Sequence, residues 1–531
     1  MVAVRHDVHS HAHEEGVPGT VNLQAREGEE THYGQALYPV PSSDPNDPLQ
    51  WPAWKKNAIL AICAVYSFLG NSALLGPSVY IGIYSKEFGI DPNTAAGLIN
   101  YPNLAFGFGS LILVPSYHKF GRRPVMLFSL VAYAAGLIGA SQATTYAGLM
   151  GARVVHGFGS GVCEALPVQL VNDTFFLHER GKKLGWYTAA LCLGATGPMY
   201  AGYMLGGGYS WRLFFYVEFA FAMALLIAAF FLVEESRYKR SFPQAPSPAK
   251  SENEKDAIAT EIVSNNSPEV PSRKTWAEQL KPWSSIDHEA PFFITMLRAF
   301  TYLLVPSALW VVTTYGLFIG LCALTFNFIF PIKIVAPPYN WSETNSGLIA
   351  IGTVLGYLLA LPFLPASDRL AARLTKRNNG IREAEMRLGV LLPALIIAPA
   401  GLILFGMTAE NNLHWIGYFF GVGMVQWAAY FYFTVTLAYA FDSNTANLSE
   451  FLIIANLGKQ AVSFGLGLEV LNWILSTGYS KVVAGAFTVV LFCNCVMVVV
   501  FMLFGKRIRI LVASSRLAAL HRRTVVQGET H

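Results

Sequence analysis

Two ionisable residues lie within one long apolar run of the sequence, where charged side chains are costly. They are Arg153 and Glu164, with Gly157 and Gly161 between them. A charge at the centre of a membrane helix costs at least about 2.5 to 3.5 kcal/mol, so it requires a cavity, a partner or a function. Eleven residues are close to three helical turns, which predicts both side chains on one face. A carboxylate in a partly desolvated cavity takes up a proton readily. We therefore predict proton coupling by this pair, with a purely structural salt bridge or charge relay as the alternative.

A second pair of ionisable residues, Lys459 and Glu469, lies in a later apolar run. Their separation of ten residues again places the two side chains on roughly one helix face, with Lys459 deep and Glu469 near one end. Lys459 is predicted either to bind an anionic group of a substrate or to neutralise a carboxylate from the other half of the chain. Glu469, Glu218 and Asp442 lie near the ends of their runs and are interpreted as interfacial, solvated or capping groups.

Neutral polar and aromatic side chains inside the apolar runs could line a cavity for an amphipathic organic solute. Asn327, Gln426, Tyr430 and Tyr432 are of this kind. Pockets for small organic molecules are mostly apolar with a few polar groups. We predict a substrate cavity lined by Asn327, Gln426, Tyr430 and Lys459, with helix packing as the alternative for each residue taken alone.

Glycine and proline concentrate in one apolar run, at Gly194, Gly197, Pro198 and Gly202. Small residues let helices approach closely, and proline removes a hydrogen bond from the helix. This pattern favours a helix that bends or rocks against its neighbours, although close packing alone would explain it equally well.

The composition of the chain indicates which secondary-structure elements carry these residues. Of the 531 residues, 53% are hydrophobic and only 13% are charged, which excludes a soluble domain. Crossing a hydrocarbon layer about 30 Å thick takes about 20 apolar residues, and blocks of this length recur. Backbone groups in lipid must bond internally, and the blocks are continuous rather than alternating, so they predict helices and not a barrel. The predicted fold class is an all-α membrane protein.

The apolar blocks predict twelve transmembrane helices in two six-helix bundles. The predicted spans are 57–77, 94–116, 125–143, 147–171, 184–207, 213–233, 306–330, 344–366, 387–407, 415–440, 450–473 and 482–504. A polar stretch rich in Ser, Pro, Glu, Lys and Asn separates the sixth span from the seventh and indicates a flexible linker. The predicted organisation is an N-terminal tail (1–56), a first bundle (57–235), a linker (236–290), a second bundle (291–505) and a C-terminal tail (506–531).

Basic residues concentrate in alternate connections and predict the orientation. The basic connections hold Lys119, Arg122 and Arg123; Arg180, Lys182 and Lys183; Arg369, Arg373, Lys376, Arg377 and Arg382; and Lys506, Arg507 and Arg509. By the positive-inside rule, both termini and the linker face the cytoplasm. The first fifty residues show no signal peptide, so the first span is expected to act as the targeting signal. The glycosylation sequon at Asn340 then falls on the outer side, and the plasma membrane is the expected location.

The remaining features of the composition indicate what the protein does not bind. The six cysteines all lie in apolar blocks, so we expect neither a disulfide nor a metal site, and no cofactor. The net charge of +4 reflects the basic connections rather than a nucleic-acid partner. The expected partners of a monomeric chain are the lipid bilayer, protons and a small organic substrate.

Local motifs resemble those of the major facilitator superfamily over nearly the whole chain. The loop His118, Lys119, Phe120, Gly121, Arg122, Arg123, Pro124 resembles the superfamily's signature loop, with His118 in place of its usual acidic residue, while Asp368 and Arg369 keep the corresponding pair in the second half. The resemblance implies a gating role for these loops, although His118 puts the acidic contact in doubt in the first half. Arg153 with its following glycines is similar to the fourth-span motif that the family links to proton coupling. Gly194, Gly197, Pro198 and Gly202 resemble the fifth-span antiporter motif, with one spacing shortened and Ala201 in place of a glycine.

A narrower resemblance is to fungal drug-proton antiporters. It is carried by DPNDPLQWPAWKK (44–56), ERGKKLGWY (179–187), SWRLFFY (210–216), PPYNWS (337–342) and RNNGIREAEMRL (377–388). The resemblance implies a proton-coupled transporter that works by alternating access, with efflux of a secondary metabolite, toxin or drug as the expected activity. Proton-coupled uptake of a cationic nutrient such as a polyamine is the alternative, which the small number of buried acidic groups disfavours. A receptor that signals without transport is an alternative of another class, and no enzymatic motif is found.

Overall fold

The computed structural model describes residues 20–22, 44–238, 274–288, 290–363, 365–379, 381–443 and 448–517, and most of them are helical. After the short strand β1 (Thr20–Asn22), the first half contains α1 (Ala53–Leu75), α2 (Ile81–Phe88), α3 (Pro92–Phe120), α4 (Arg122–Gln142), α5 (Tyr146–Ser160), α6 (Ala165–Thr174), α7 (Leu177–Leu193), α8 (Gly197–Gly206) and α9 (Arg212–Leu232). A short helix α10 (Trp276–Gln279) follows in the linker.

The second half begins with α11 (Phe292–Thr301). It continues with α12 (Pro306–Leu317), α13 (Thr325–Val335), α14 (Ile349–Ala360), α15 (Ala366–Arg377), the strand β2 (Ile381–Glu383), α16 (Leu392–Asn411), α17 (Ile416–Ser443), α18 (Leu448–Gly467), α19 (Val470–Thr477) and α20 (Thr488–Ala513). A π-helical segment, Phe318–Leu324, joins α12 to α13, and another, Ser480–Phe487, leads into α20.

The helical segments confirm a multi-span membrane protein. In the described residues, ten segments are long and apolar enough to cross a bilayer: Ala53–Phe88, Pro92–Phe120, Arg122–Gln142, Tyr146–Thr174, Arg212–Leu232, Pro306–Val335, Glu343–Arg377, Ala384–Asn411, Ser449–Thr477 and Ser480–Ala513. The predicted fifth and tenth spans correspond to α7 with α8 and to α17. The count of twelve spans stays a prediction.

Local sequence explains where several helices begin and end. The Asp91 carboxylate accepts a hydrogen bond from the Thr94 amide at 2.8 Å, and Pro92 occupies the first turn of α3, where it needs no donor. Thr145 caps α5 in the same way through the Gly148 amide. Gly121, at φ 103°, separates α3 from α4 in a backbone conformation that glycine adopts without strain.

Three features of the periphery add to the predicted organisation. The described residues are mostly helical, and β1 pairs with β2 in a two-stranded antiparallel sheet that joins the N-terminal tail to the second half. Part of the linker contacts the first half: Asp287 donates its backbone N–H to Lys119 O at 2.8 Å, and Ser284 Oγ donates to Phe120 O at 2.7 Å. The last helix extends to Ala513, beyond the predicted boundary at 504. Residues 239–273 and 518–531 lie outside the described residues.

The two halves contact each other along α3 and α18, which run antiparallel. We call the end of the bundle that carries the linker the linker end, and the other the far end. At the far end Asn93 and Asn100 donate side-chain hydrogen bonds to the carbonyls of Leu468 and Gly467, both at 2.7 Å. At the linker end His118 Nε2 lies 2.8 Å from Ser449 Oγ.

A second contact between the halves lies at the far end, where α8 meets the 3₁₀ turn Glu343–Gly347. Gly347 lies so close to α8 that a Cβ there would stand 1.8 Å from the Pro198 carbonyl oxygen. The far end is therefore closed by backbone packed against backbone.

Candidate functional site

An ion pair between the two halves joins Glu164 to Lys459. Helix α5 ends at Ser160, a turn follows, and α6 starts at Ala165, so Glu164 stands where the chain changes helix. Lys459 is on α18, and its Nζ donates a hydrogen bond to Glu164 Oε2. The side chains are only 13% and 7% exposed, so the two charges largely replace each other's water. The second alternative predicted for Lys459, neutralisation of a carboxylate from the other half, describes this contact.

Aromatic rings surround the pair on both sides of the interface. Lys459 Nζ lies 6.0 Å from the ring centres of Phe106, on the first half, and Tyr315, on the second. Such rings attract a cation through their negative faces. Tyr187 donates its hydroxyl to the backbone carbonyl of Glu164 at 3.0 Å, which fixes the turn that carries the carboxylate. The arrangement is a charged contact within a mostly apolar lining.

Two of the residues predicted to line a substrate cavity lie together on α17. Tyr357 donates its hydroxyl to Gln426 Oε1 at 2.9 Å, and the rings of Tyr357 and Tyr430 lie 6.0 Å apart. The Tyr430 hydroxyl is buried and has no hydrogen-bond partner among the described residues. Helix α14, which carries Tyr357, contacts α7 of the first half, which carries Cys192. This cluster therefore also borders the interface between the halves.

Two other candidates for the cavity make hydrogen bonds to nearby backbone carbonyls. Asn327 Nδ2 bonds to Ala323 O, one turn back on the same helical segment, at 2.8 Å. Tyr432 donates its hydroxyl to Cys495 O at 3.3 Å, within the second half. The structure thus brings Gln426, Tyr430 and Lys459 to the interface, and it leaves Asn327 and Tyr432 in contact with backbone carbonyls.

Arg153 lies away from Glu164, which corrects the expectation that both charges face a common passage. Its guanidinium is fully buried and donates to the backbone carbonyls of Leu98, Ala73 and Leu74, at 2.5, 3.2 and 3.0 Å. These bonds tie α5 to α3 and α1. The helix break after Ser160 interrupts the regular helix on which the common face depended, and the role of Arg153 in proton coupling stays a prediction.

Glu218 is a buried carboxylate that the sequence interpretation placed at a solvated edge. It is 1% exposed, and its oxygens accept hydrogen bonds from Ser72 at 2.7 Å, from Tyr133 at 3.4 Å and from Tyr200. All three donors are neutral hydroxyls of the first half. The insertion cost that marked Glu164 applies equally to this residue, because it lies more than one turn inside α9.

The signature loop at the linker end is held by acidic groups of the first half. Arg122 Nε lies 3.1 Å from Asp173 Oδ2, and the Glu235 carboxylate accepts the backbone N–H groups of Arg122 and Arg123, at 3.0 and 3.3 Å. The Arg123 guanidinium donates to backbone carbonyls, including Phe230 O at 2.7 Å. A Cβ at Gly121 would stand 2.3 Å from a Glu235 oxygen, so the loop leaves no space for a side chain.

The corresponding loop of the second half is arranged differently. Asp368 and Arg369 are exposed, and neither carboxylate nor guanidinium makes an ion pair in the described residues. A buried ion pair at this end joins Arg298 to Glu450, at 2.5 Å, and links α11 to the start of α18. Sequence reasoning missed this pair, because Glu450 stands at the edge of its apolar run and Arg298 precedes the predicted seventh span.

The glycine motif of the fifth span serves close packing on two partners. A Cβ at Gly194 or Gly197 would stand 2.7 or 2.5 Å from the carbonyls of Phe68 and Ser72 on α1. Gly202 faces the 3₁₀ turn of the second half, 3.1 Å from Gly347 N by the same measure, and Pro198 lies in the first turn of α8, which follows a 3₁₀ interruption. The motif thus combines an irregular helix with contact across the halves.

Asn340 is exposed at the far end, in a turn where its φ is 51°. This position leaves room around the sequon.

Comparisons with known proteins identify the architecture. A sequence profile of the Major Facilitator Superfamily matches residues 60–467. Protein HOL1 of Saccharomyces cerevisiae is 24% identical over 94% of this chain and 96% of its own length. Efflux pump FUBT of Fusarium oxysporum is 26% identical over 74% of this chain and 63% of its own length. A crystal structure of a POT family transporter in complex with 5-aminolevulinic acid superimposes with a TM-score of 0.57 at 14% identity, over 88% of this chain and 99% of that one.

Proposed function

The chain belongs to the major facilitator superfamily, and from this premise we propose that it is a proton-coupled secondary transporter that works by alternating access. The observation that carries the proposal is the ion pair between Glu164 and Lys459, because it joins the two halves at a point where little water reaches it. Alternating access requires the halves to separate at one end at a time, and an ion pair between them opposes that motion.

A proton is the simplest agent that releases such a pair. Protonation of Glu164 removes the negative charge that holds Lys459, so the cost of separating the halves falls. Lys459 is then free to interact with another anionic group or with the faces of Phe106 and Tyr315. In this scheme Glu164 is the proton carrier. Lys459 responds to the protonation state of Glu164 because it loses its ion-pair partner when Glu164 is protonated.

The side chains at the interface between the halves favour an amphipathic organic substrate. Phe106 and Tyr315 lie beside the pair, and the cluster of Tyr357, Gln426 and Tyr430 adds aromatic surface with few polar groups, among them a Tyr430 hydroxyl that has no partner in the described residues. A polycation would need several free carboxylates, whereas Glu164 and Glu450 are occupied by Lys459 and Arg298, and Glu218 accepts hydrogen bonds from three hydroxyls within the first half. This supports the secondary-metabolite, toxin or drug class over a polyamine, and the relative named as an efflux pump supports export.

We further propose that the linker end faces the cytoplasm of a fungal plasma membrane and that the chain acts as a monomer. The excess of Lys and Arg in the connections at this end supports the orientation. Asn340 then lies outside, where it is available for glycosylation.

The test uses the purified full-length chain in proteoliposomes with imposed pH gradients. An acidic interior is expected to drive accumulation of an amphipathic dye, and a protonophore is expected to abolish it. Glu164→Gln should remove the dependence on the pH gradient while dye exchange continues. Glu469→Gln, an exposed carboxylate on the same predicted span as Lys459, is the matched control and should behave like the unmodified protein.

Three outcomes would count against parts of the proposal. Accumulation driven by an acidic exterior would indicate symport, and spermidine as the accumulated compound would favour the uptake alternative. Unchanged pH dependence of Glu164→Gln would exclude this residue as the carrier. No turnover of any compound would favour a receptor.

A further inference from the structure

Helix α11 has an inverted distribution of polarity. Its buried side includes Thr295 and Arg298, which are 8% and 5% exposed. Its exposed side consists of large apolar residues only, among them Phe293 at 74% and Leu297 at 70%. In a helix that faces water the pattern is the reverse, so the solvent on the exposed side of α11 is apolar.

The length of α11 excludes a role as a membrane span. Ten residues extend about 15 Å, half of the roughly 30 Å hydrocarbon thickness. The crossing itself is supplied by Pro306–Val335, which is 30 residues long. Val305 between them has an extended backbone, at φ −88° and ψ 117°, so the chain bends before α12 begins. Helix α11 is therefore a separate element at the linker end.

The exposed apolar face of α11 continues the lipid-facing surface of the bundle. Leu304 follows α11 and is 69% exposed, and Leu309 in the first turn of α12 is 45% exposed. On the other side, the preceding segment presents Trp283 and Ile286, at 71% and 50%. Tryptophan favours the boundary between lipid headgroups and acyl chains. Lys281 is exposed in the same segment, as expected beside anionic headgroups.

We propose that α11 is a membrane-binding helix whose exposed face is buried in the headgroup region of the leaflet at the linker end. The face consists of Phe293, Ile294, Leu297, Phe300 and Leu304, and its occupant is phospholipid. An amphipathic helix buries its apolar face roughly 5 to 10 Å into this boundary. The continuity with lipid-facing spans on one side and Trp283 on the other selects a lipid leaflet over a second copy of the chain. This inference does not depend on the proposed transport activity.

The contacts of α11 connect this leaflet to the interface between the halves. Arg298 pairs with Glu450 at 2.5 Å, one residue after Ser449, which lies against His118 of the first half. A helix fixed in the leaflet therefore stands beside the linker-end contact of α3 with α18.

The experiment places an environment-sensitive NBD fluorophore on cysteines in the full-length protein, reconstituted in vesicles of phosphatidylcholine and phosphatidylserine. The background carries Cys493→Ala, because Cys493 is exposed. Leu297→Cys reports on α11. Asn411→Cys, exposed at the far-end terminus of α16, is the control for water, and Val490→Cys, 46% exposed near the middle of the predicted span 482–504, is the control for the acyl chains.

At Leu297 we expect a blue-shifted emission, resistance to aqueous iodide and strong quenching by lipids that are spin-labelled near the headgroup. Val490 should be quenched most by labels deep in the acyl chains. A Leu297 signal that matches Asn411 would overturn the proposal, as would efficient disulfide cross-linking of two Leu297→Cys chains. Because Leu297 is largely exposed, its replacement by cysteine should leave folding intact, and transport by the labelled protein checks this.

Discussion

At the scale of single residues, the Glu164–Lys459 pair combines two opposing energies. Removing both charges from water is costly, and their mutual attraction offsets that cost only while they stay together. The pair therefore contributes little net stability as a whole, yet either partner left alone is unfavourable. A contact of this kind suits a protein that must break it in each cycle, since one bound proton changes the balance.

This balance makes a prediction for a double-mutant cycle. Lys459→Met should destabilise the protein by about 3 to 5 kcal/mol, because it leaves the Glu164 carboxylate largely buried without its cation. Adding Glu164→Gln should restore most of that loss, since the amide carries no charge. Thermal unfolding of the four proteins in detergent measures the coupling. Additive effects of the two substitutions would show that the pair is not formed.

Part of this site could be predicted from the sequence, and each success or failure has an identifiable physical reason. The insertion cost of charge identified Glu164 and Lys459 as residues in need of partners, and the structure pairs them with each other. The expectation that Arg153 and Glu164 share one helix face assumed a continuous helix, and helical periodicity carries no information about the turn after Ser160. Glu218 was missed because an acidic residue near a span edge is indistinguishable, in sequence, from a solvated one.

At the scale of elements, a buried arginine supports the strand pair that joins the N-terminal tail to the second half. Arg509, near the end of α20, donates to Glu383 at 2.7 Å, to Glu385 at 2.6 Å and to Thr20 of β1 at 3.2 Å. Thr20 in turn donates to Glu383 at 2.8 Å. The strand pair β1–β2 therefore rests on a buried cation with two carboxylates.

Arg509→Met should destabilise this end of the protein strongly, whereas Lys506→Met should not. Arg509 is 3% exposed, and its loss leaves two neighbouring carboxylates without their main cation, a cost of about 3 to 5 kcal/mol. Lys506 is 31% exposed and lies 3.6 Å from Glu383, which predicts about 0 to 1 kcal/mol. Thermal unfolding and limited proteolysis of the tail compare the variants. Equal losses in both would contradict the structure.

Hydropathy predicted the helices better than their ends or their irregularities. Long apolar runs locate the spans because lipid requires every backbone group to bond within its own helix. The strand pair was not predicted, since Thr20–Asn22 and Ile381–Glu383 are too short to show a pattern. The π-helical segments were not predicted either, because they depend on packing between helices rather than on local sequence.

At the scale of the whole molecule, the contacts between the two halves determine which end of the bundle is closed. The far end is closed by α3 against α18 and by α8 against the turn that ends at Gly347. The glycine motif of the fifth span favoured close helix packing or bending, but the conformation adopted depends on a small free-energy difference between packed states, which sequence patterns do not encode.

Gly347→Ala should shift the protein away from this closed far end. The new methyl group would stand 1.8 Å from the Pro198 carbonyl oxygen, so the closed packing becomes unfavourable while an open far end accommodates it. Each ~1.4 kcal/mol of clash changes the ratio of the two states about tenfold. Spin labels at Tyr209→Cys, in a far-end loop of the first half, and at Asn411→Cys, the last residue of α16 at the far end of the second half, should report longer distances by pulsed electron resonance, again with Cys493 replaced by Ala. Gly465→Ala is the matched control, because a Cβ there meets nothing within 4 Å, and its distances should equal those of the parent. Unchanged distances in Gly347→Ala would mean that the far end is held shut by contacts other than this one.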